Sequence, residues 1–238
     1  MKKKYKGIDL FCGIGGFRLA MNSSQVECVF SSDNDKFAQQ TYEANFHEVP
    51  TGDIKAVDEK DIPKFDILTA GFPCQPFSYA GEKQGFNDEV RGTLFFDVCR
   101  ILEYHKPPMV FLENVKGLKS HDKGKTLQTV LDTLKKLGYY PHWTILSSLD
   151  YGLPQKRERW YCVAFRTDVD FEWPKPIKGH PVLRDIIEMN DRNPSFIIRK
   201  SKFPQNPKRS VRFSGKRTKR SVQKRKARNT QKAETKVL

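Results

Sequence analysis

An α/β fold, a mostly parallel sheet with helices on both faces, is predicted by three features of this 238-residue sequence. Apolar runs of strand length alternate with segments of helical period, the pattern of a covered parallel sheet. The residues of unusual chemistry follow directly after those runs, where open sheets of this kind bind ligands. The length allows one good core plus an appendage.

The predicted strands are 7–11, 27–31, 65–70, 109–112, 143–147 and 161–165, and no internal repeat is present. A helix over 36–45 starts just past Asp33 and Asp35, acids that suit a helix N-terminus. Another, over 93–104, aligns Leu94, Val98, Ile101 and Leu102 on one face. Leu127, Val130, Leu131, Leu134 and Leu137 mark a third, which Gly138 stops. After about Arg166 prolines interrupt the pattern, leaving only a short helix near 182–189. The expected organisation is a catalytic and cofactor-binding domain at 1–170, a Pro-interrupted connector at 171–198 and a basic, disordered tail at 199–238.

The formal charge of +15 is unevenly placed. Residues 1–198 hold 27 basic and 27 acidic side chains, whereas residues 199–238 hold 16 basic ones and a single acid, Glu234. The tail therefore carries the whole excess and is expected to bind phosphates through charge. With no apolar run long enough to span a bilayer and no signal-peptide core, the chain is expected to be cytoplasmic. Its five cysteines show no metal-ligand spacing, which argues against a metal site, and Cys28, Cys99 and Cys162 lie in apolar surroundings as small core side chains.

The first strand runs into Phe11-Cys12-Gly13-Ile14-Gly15-Gly16 and then a helix, a glycine turn that lets a ligand lie against bare backbone. By itself the turn also fits a simple connection. Asp33 ends the second strand, where an acid can accept from ribose hydroxyls, and Asp53 with Ile54 follows near another strand end. Taken together these describe a site for an adenosine-bearing cofactor. The next strand delivers Pro73-Cys74-Gln75-Pro76, a thiol fixed between prolines. The apolar strand 109–112 ends abruptly in Glu113-Asn114-Val115, a carboxylate on the same sheet edge as the thiol. Arg157 and Arg159, at i and i+2, share a side if their segment is extended.

These blocks, in this order, resemble the DNA (cytosine-5) methyltransferases. Asp9-Leu10-Phe11-Cys12-Gly13-Ile14-Gly15-Gly16 is similar to their cofactor loop and Pro73-Cys74-Gln75 to their nucleophile motif. Glu113-Asn114-Val115 and Gln155-Lys156-Arg157-Glu158-Arg159 match two further motifs. The resemblance implies a Rossmann-like S-adenosylmethionine-dependent methyltransferase fold acting on double-stranded DNA. Cys74 would then attack a flipped-out cytosine, Glu113 would share a proton with its N3, Arg159 would bind O2 and Arg157 would support the loop and DNA backbone. It also implies that Phe11 meets the adenine face, Gly13, Ile14, Gly15 and Gly16 the methionine part, Asp33 the ribose and Asp53 the adenine amino group. Ile54, Pro73 and Leu94 would line the same pocket.

Two departures stand out. The family places an aromatic residue after the ribose acid, but Asn34 stands here, so weaker cofactor binding is expected. The motif resemblance ends at about residue 166, short of any target-recognition region. That leaves a split enzyme completed by a complementary subunit, or a truncated non-catalytic DNA-binding relic; an RNA cytosine-5 methyltransferase is a further reading. Undamaged catalytic motifs favour the split enzyme.

Overall fold

A computed structural model of the protein describes residues 5–73, 94–177, 179 and 182–185. The thiol of Cys74, the tail at 199–238 and most of the connector beyond 177 lie outside the described residues, as does Thr93 at the start of one expected helix. A short 3-10 turn, Leu183–Asp185, occupies part of the helix expected near 182–189.

All six expected strands are present: β1 (Tyr5–Leu10), β2 (Val26–Ser32), β3 (Ile67–Ala70), β4 (Met109–Val115), β5 (Tyr140–Ser147) and β6 (Glu158–Phe165). They form one sheet in the order β2-β1-β3-β4-β6-β5. β2, β1, β3 and β4 are mutually parallel, and β6 inserts antiparallel between β4 and β5. That insertion corrects one expectation. β4 does not end at Leu112 but continues through Glu113, Asn114 and Val115, which pair with Tyr161, Trp160 and Arg159 of β6. An antiparallel neighbour supplies ladder partners for polar residues that look like a strand's end when read alone.

The helices are α1 (Gly16–Asn22), α2 (Lys36–Phe46), α3 (Leu94–His105) and α4 (Lys125–Lys136). Asp35 caps α2, its Oδ1 accepting from the N–H groups of Phe37 at 2.8 Å and Ala38 at 3.0 Å; such a cap contributes about 1 kcal/mol. Four of the five α4 leucine and valine positions behave as their spacing predicts: Leu127, Val130 and Leu134 are buried and Leu131 packs on the core edge. The fifth, Leu137, packs on that edge from just past the helix, and Gly138 follows in a left-handed conformation with its N–H on Lys135. In α3, Val98, Ile101 and Leu102 are buried beneath Leu94, which is only partly covered.

The core centres on Ile8 and Leu10 of β1, Leu68 and Ala70 of β3, Val110 and Leu112 of β4 and Trp160 and Cys162 of β6. Alternate residues of each strand face it, as period-two geometry requires. Cys12, Cys28, Cys99 and Cys162 are free and buried. Burial pushes all four thiols up, that of Cys162 to about 12, so these are inert packing residues at neutral pH.

Candidate active site

The C-terminal rim of the parallel strands is stitched together by short backbone bonds. Past β1 the chain turns sharply at Phe11, whose φ is +55°, and at Gly13 and Gly15. The Cys12 N–H donates to Ser32 at 3.0 Å, and the Gly15 N–H closes the turn on Cys12 at 2.9 Å. Asp33, just beyond β2, accepts from the Gly13 N–H at 2.7 Å through Oδ2 and from the Asp35 N–H at 2.8 Å through Oδ1. Its own N–H donates to Thr51, and the Ser32 hydroxyl donates to the Gly52 carbonyl at 2.8 Å. Asp53 then caps a turn at Lys55. The glycine turn, Asp33 and the segment holding Asp53 thus form one platform.

That platform is open above the turn. A side chain built at Gly13 or Gly16 would meet nothing within 4 Å, and Ile14 is 64% exposed. Gly15 is the opposite: a Cβ there would stand 2.1 Å from the ring of Phe46. Each Asp33 oxygen has one N–H partner here and keeps a free lone pair, so the carboxylate can still receive two hydroxyl donors. The residues present therefore fit an adenosine-bearing group. Pro73 is exposed and Leu94 half-buried at the start of α3. Ile54 differs from the expectation of a pocket-lining residue: its side chain is a core residue, 2% exposed, because the turn after Asp53 folds it inward.

Next to the platform lies Gly71, the residue after β3. A Cβ placed there would sit 3.6 Å from Oε2 of Glu113 and 3.8 Å from the carbonyl of Phe11. The cofactor turn and the Glu113 carboxyl thus converge on the segment that leads into Pro73-Cys74. Glu113 is half-buried, and its Oε1 pairs with the Nε of Arg159 at 3.0 Å. A second guanidinium nitrogen of Arg159 donates to the Glu158 carbonyl. Burial raises the pKa of Glu113, more than the positive charges of Arg159 and Arg157 lower it. The carboxyl is displaced toward its protonated form while a cation stands beside it, which suits a group that must donate or share a proton.

Arg159 lies within β6 and faces Glu113, whereas Arg157 precedes the strand and is exposed. The expected common side therefore holds only in part, since the extended segment begins between them. Sequence reasoning placed two further groups in motifs without giving either a role. Asn114, 2% exposed, donates from Nδ2 to the Phe72 carbonyl at 2.8 Å. Asp9, fully buried under the turn, accepts from the Thr69 hydroxyl at 2.9 Å, and burial pushes its pKa up to about 7. Both stand inside motifs that the sequence shows, but only a polar residue in an apolar strand hinted at a buried partner for either.

Among the described residues no group of three or more His, Cys, Asp or Glu is arranged to hold a metal ion, and no helix is long and apolar enough to cross a membrane.

A sequence profile of C-5 cytosine-specific DNA methylase matches residues 5–237, well past residue 166, where the separate motifs end. The chain is 53% identical to the type II methyltransferase M.HhaI of Haemophilus parahaemolyticus over 183 residues, 76% of this chain and 56% of that protein. It is 49% identical to the type II methyltransferase M.DsaV of Dactylococcopsis salina over 219 residues, 90% of this chain and 62% of that one. The chain thus spans about three-fifths of the length of these relatives. Among solved structures, a Spodoptera frugiperda DNMT2 variant is similar at a TM-score of 0.59 and 25% identity, over 75% of this chain and 57% of the other. The S. pombe Dnmt2 methyltransferase shares the fold at a TM-score of 0.64, with 23% identity over 83% of this chain and 65% of the other.

Proposed function

The chain belongs to the C-5 cytosine-specific DNA methylase family, and on that premise we propose that it transfers a methyl group from S-adenosylmethionine to carbon 5 of a cytosine flipped out of double-stranded DNA. The observation that carries this reading is the junction at Gly71, where Phe11 of the glycine turn and Glu113 of β4 meet. Cys74 follows three residues later, and three residues span at most about 11 Å.

Carbon 5 of cytosine is too weak a nucleophile to take a methyl group unaided. The Cys74 thiolate adds to carbon 6, and the ring electrons move so that carbon 5 becomes nucleophilic. Negative charge gathers at N3, where Glu113 supplies a proton, and its raised pKa supports that role. Arg159 orients Glu113 and holds the base O2, while Arg157 supports the DNA backbone. When bound, S-adenosylmethionine supplies an electrophilic methyl group. Phe11, Gly13, Ile14, Gly15, Gly16, Asp33 and Asp53 hold that donor, with Pro73 and Leu94 around it. Carbon 5 then loses its proton to a base, the carbon 5–carbon 6 double bond re-forms, and Cys74 leaves as the thiolate.

The catalytic domain is assigned to 1–170, a connector to 171–198 and phosphate binding to the basic tail at 199–238, all in the cytoplasm. Reading of the DNA sequence is assigned to a complementary subunit with a target-recognition region. The test is incorporation of labelled methyl from S-adenosylmethionine into DNA and, in parallel, into RNA, by the chain alone and with the recognition region supplied separately. Label recovered as 5-methylcytosine in DNA is expected. Label only in RNA overturns the choice of polymer, and none in either overturns the proposal.

A further inference from the structure

Glu113 and Asn114 are adjacent on β4, so their side chains leave opposite faces of the sheet. The β3–β4 ladder ends at the Ala70–Leu112 pair. Beyond it, Asn114 takes over as tether: its Nδ2 donates to the Phe72 carbonyl at 2.8 Å, a buried bond across 42 residues of sequence. The same carboxamide accepts from the Val115 N–H through Oδ1 at 2.8 Å, which fixes the orientation of the amide. Phe72 is held from its other end as well, since its buried ring lies 5.3 Å from that of Phe95 in α3. Adjacent residues of one strand thus meet successive points of the segment before the nucleophile: the Glu113 carboxyl lies beside Gly71, and Asn114 bonds to Phe72.

We propose that Asn114 is a positioning residue for methyl transfer: its bond to the Phe72 carbonyl fixes the chain where it leaves β3 beside Glu113, two residues before Cys74 in sequence. The proposal rests on the functional reading above. Packing alone would ask only that the buried Phe72 carbonyl be satisfied. The arrangement does more, because the donor comes from the residue next to the proton-sharing acid, so Phe72 and the acid are tied to adjacent positions of one strand.

Asn114→Asp keeps the shape and the acceptor for Val115 but donates to Phe72 only when protonated. Asn114→Leu keeps the approximate volume and removes both bonds. In single-turnover methyl transfer, the ratio of Asn114→Asp to wild type is expected near one at low pH and to fall at least tenfold as the new acid ionises. Asn114→Leu is expected to lose at least tenfold at every pH, with the KM for S-adenosylmethionine within twofold of wild type. A flat ratio for Asn114→Asp, or an Asn114→Leu rate within twofold of wild type, overturns the inference. A second readout needs neither DNA nor methyl transfer: the rate of iodoacetamide alkylation at Cys74, located by peptide mass. The cysteines at 12, 28, 99 and 162 are buried, with thiols pushed up, and react slowly. Alkylation of Cys74 at pH 7 is expected to change at least threefold in Asn114→Leu; an unchanged rate overturns the inference. A protein that never methylates refutes the functional reading, while alkylation still decides the role of Asn114.

Discussion

Replacing Gly15 and Gly16 with alanine, one at a time, separates what the turn does for the fold from what it does for the cofactor. At Gly15 the backbone is left-handed, with φ +94°, and the new methyl would stand 2.1 Å from Cε2 and 2.7 Å from Cζ of Phe46. That ring cannot swing away freely, because it packs 4.7 Å from the Tyr42 ring and 5.4 Å from the Arg18 guanidinium. Left-handed strain of about 1–2 kcal/mol adds to overpacking of about 1–3 kcal/mol. For a chain of this size the sum lowers Tm by on the order of 10 °C. At Gly16, the first residue of α1, no atom lies within 4 Å and φ is not positive. Alanine there costs the fold nothing and gains about 0.4–1 kcal/mol through the unfolded chain. The same methyl projects into the open space above the turn, so affinity for S-adenosylmethionine is expected to fall at least tenfold. Thermal melts and titration calorimetry on both variants decide the matter. A Gly15→Ala protein melting with wild type would refute the packing argument. A Gly16→Ala protein binding the donor as wild type does would remove the turn from the cofactor site.

Asp9→Asn tests the buried acid. Its folded pKa, near 7 against the ordinary 3.8, means that the stability of the neutral form is fully present below pH 3.8 and is lost as pH rises through 7. That is worth up to about 4 kcal/mol. Asparagine stays neutral, so Tm of the variant should exceed wild type at pH 8 and converge on it toward pH 4; a constant difference contradicts the assignment. Asn34→Trp restores an aromatic residue after the ribose acid, and stacking of about 0.5–1.5 kcal/mol should tighten S-adenosylmethionine binding about threefold to tenfold by calorimetry. Removal of residues 199–238, which hold all of the +15 charge, should flatten the dependence of nonspecific DNA affinity on salt, with each lost phosphate contact worth about 0.9 in the log–log slope; an unchanged slope assigns DNA binding elsewhere.

Much of the fold is legible in local pattern. Apolar runs place all six strands, and Asp35 and Gly138 act as the start and stop signals their chemistry implies. The misreadings share one cause, which is long-range pairing. Glu113 and Asn114 look like a loop because nothing nearby in sequence announces that β6 will lie beside them. Arg159 finds Glu113 across the same pairing, while Arg157 stays outside it. The inward turn of Ile54 depends on the cap at Asp53 and on α3, to whose Arg100 it offers its carbonyl. The site is legible as chemistry, since a proline-flanked thiol, a strand-borne acid and a glycine turn each suit the reaction. Asn114 and Asp9 stand in the motifs too, but the partners that make them supports, Phe72 and Thr69, are visible only in three dimensions.

The central claim is that the sulfur of Cys74 bonds covalently to the target base. Incubating the protein, with the recognition region supplied, on duplex DNA containing 5-fluorocytosine and S-adenosylmethionine should halt the cycle before elimination. Peptide mapping should then place the base on Cys74, with no adduct in Cys74→Ser. An adduct that persists in Cys74→Ser, or that maps to another residue, contradicts the account.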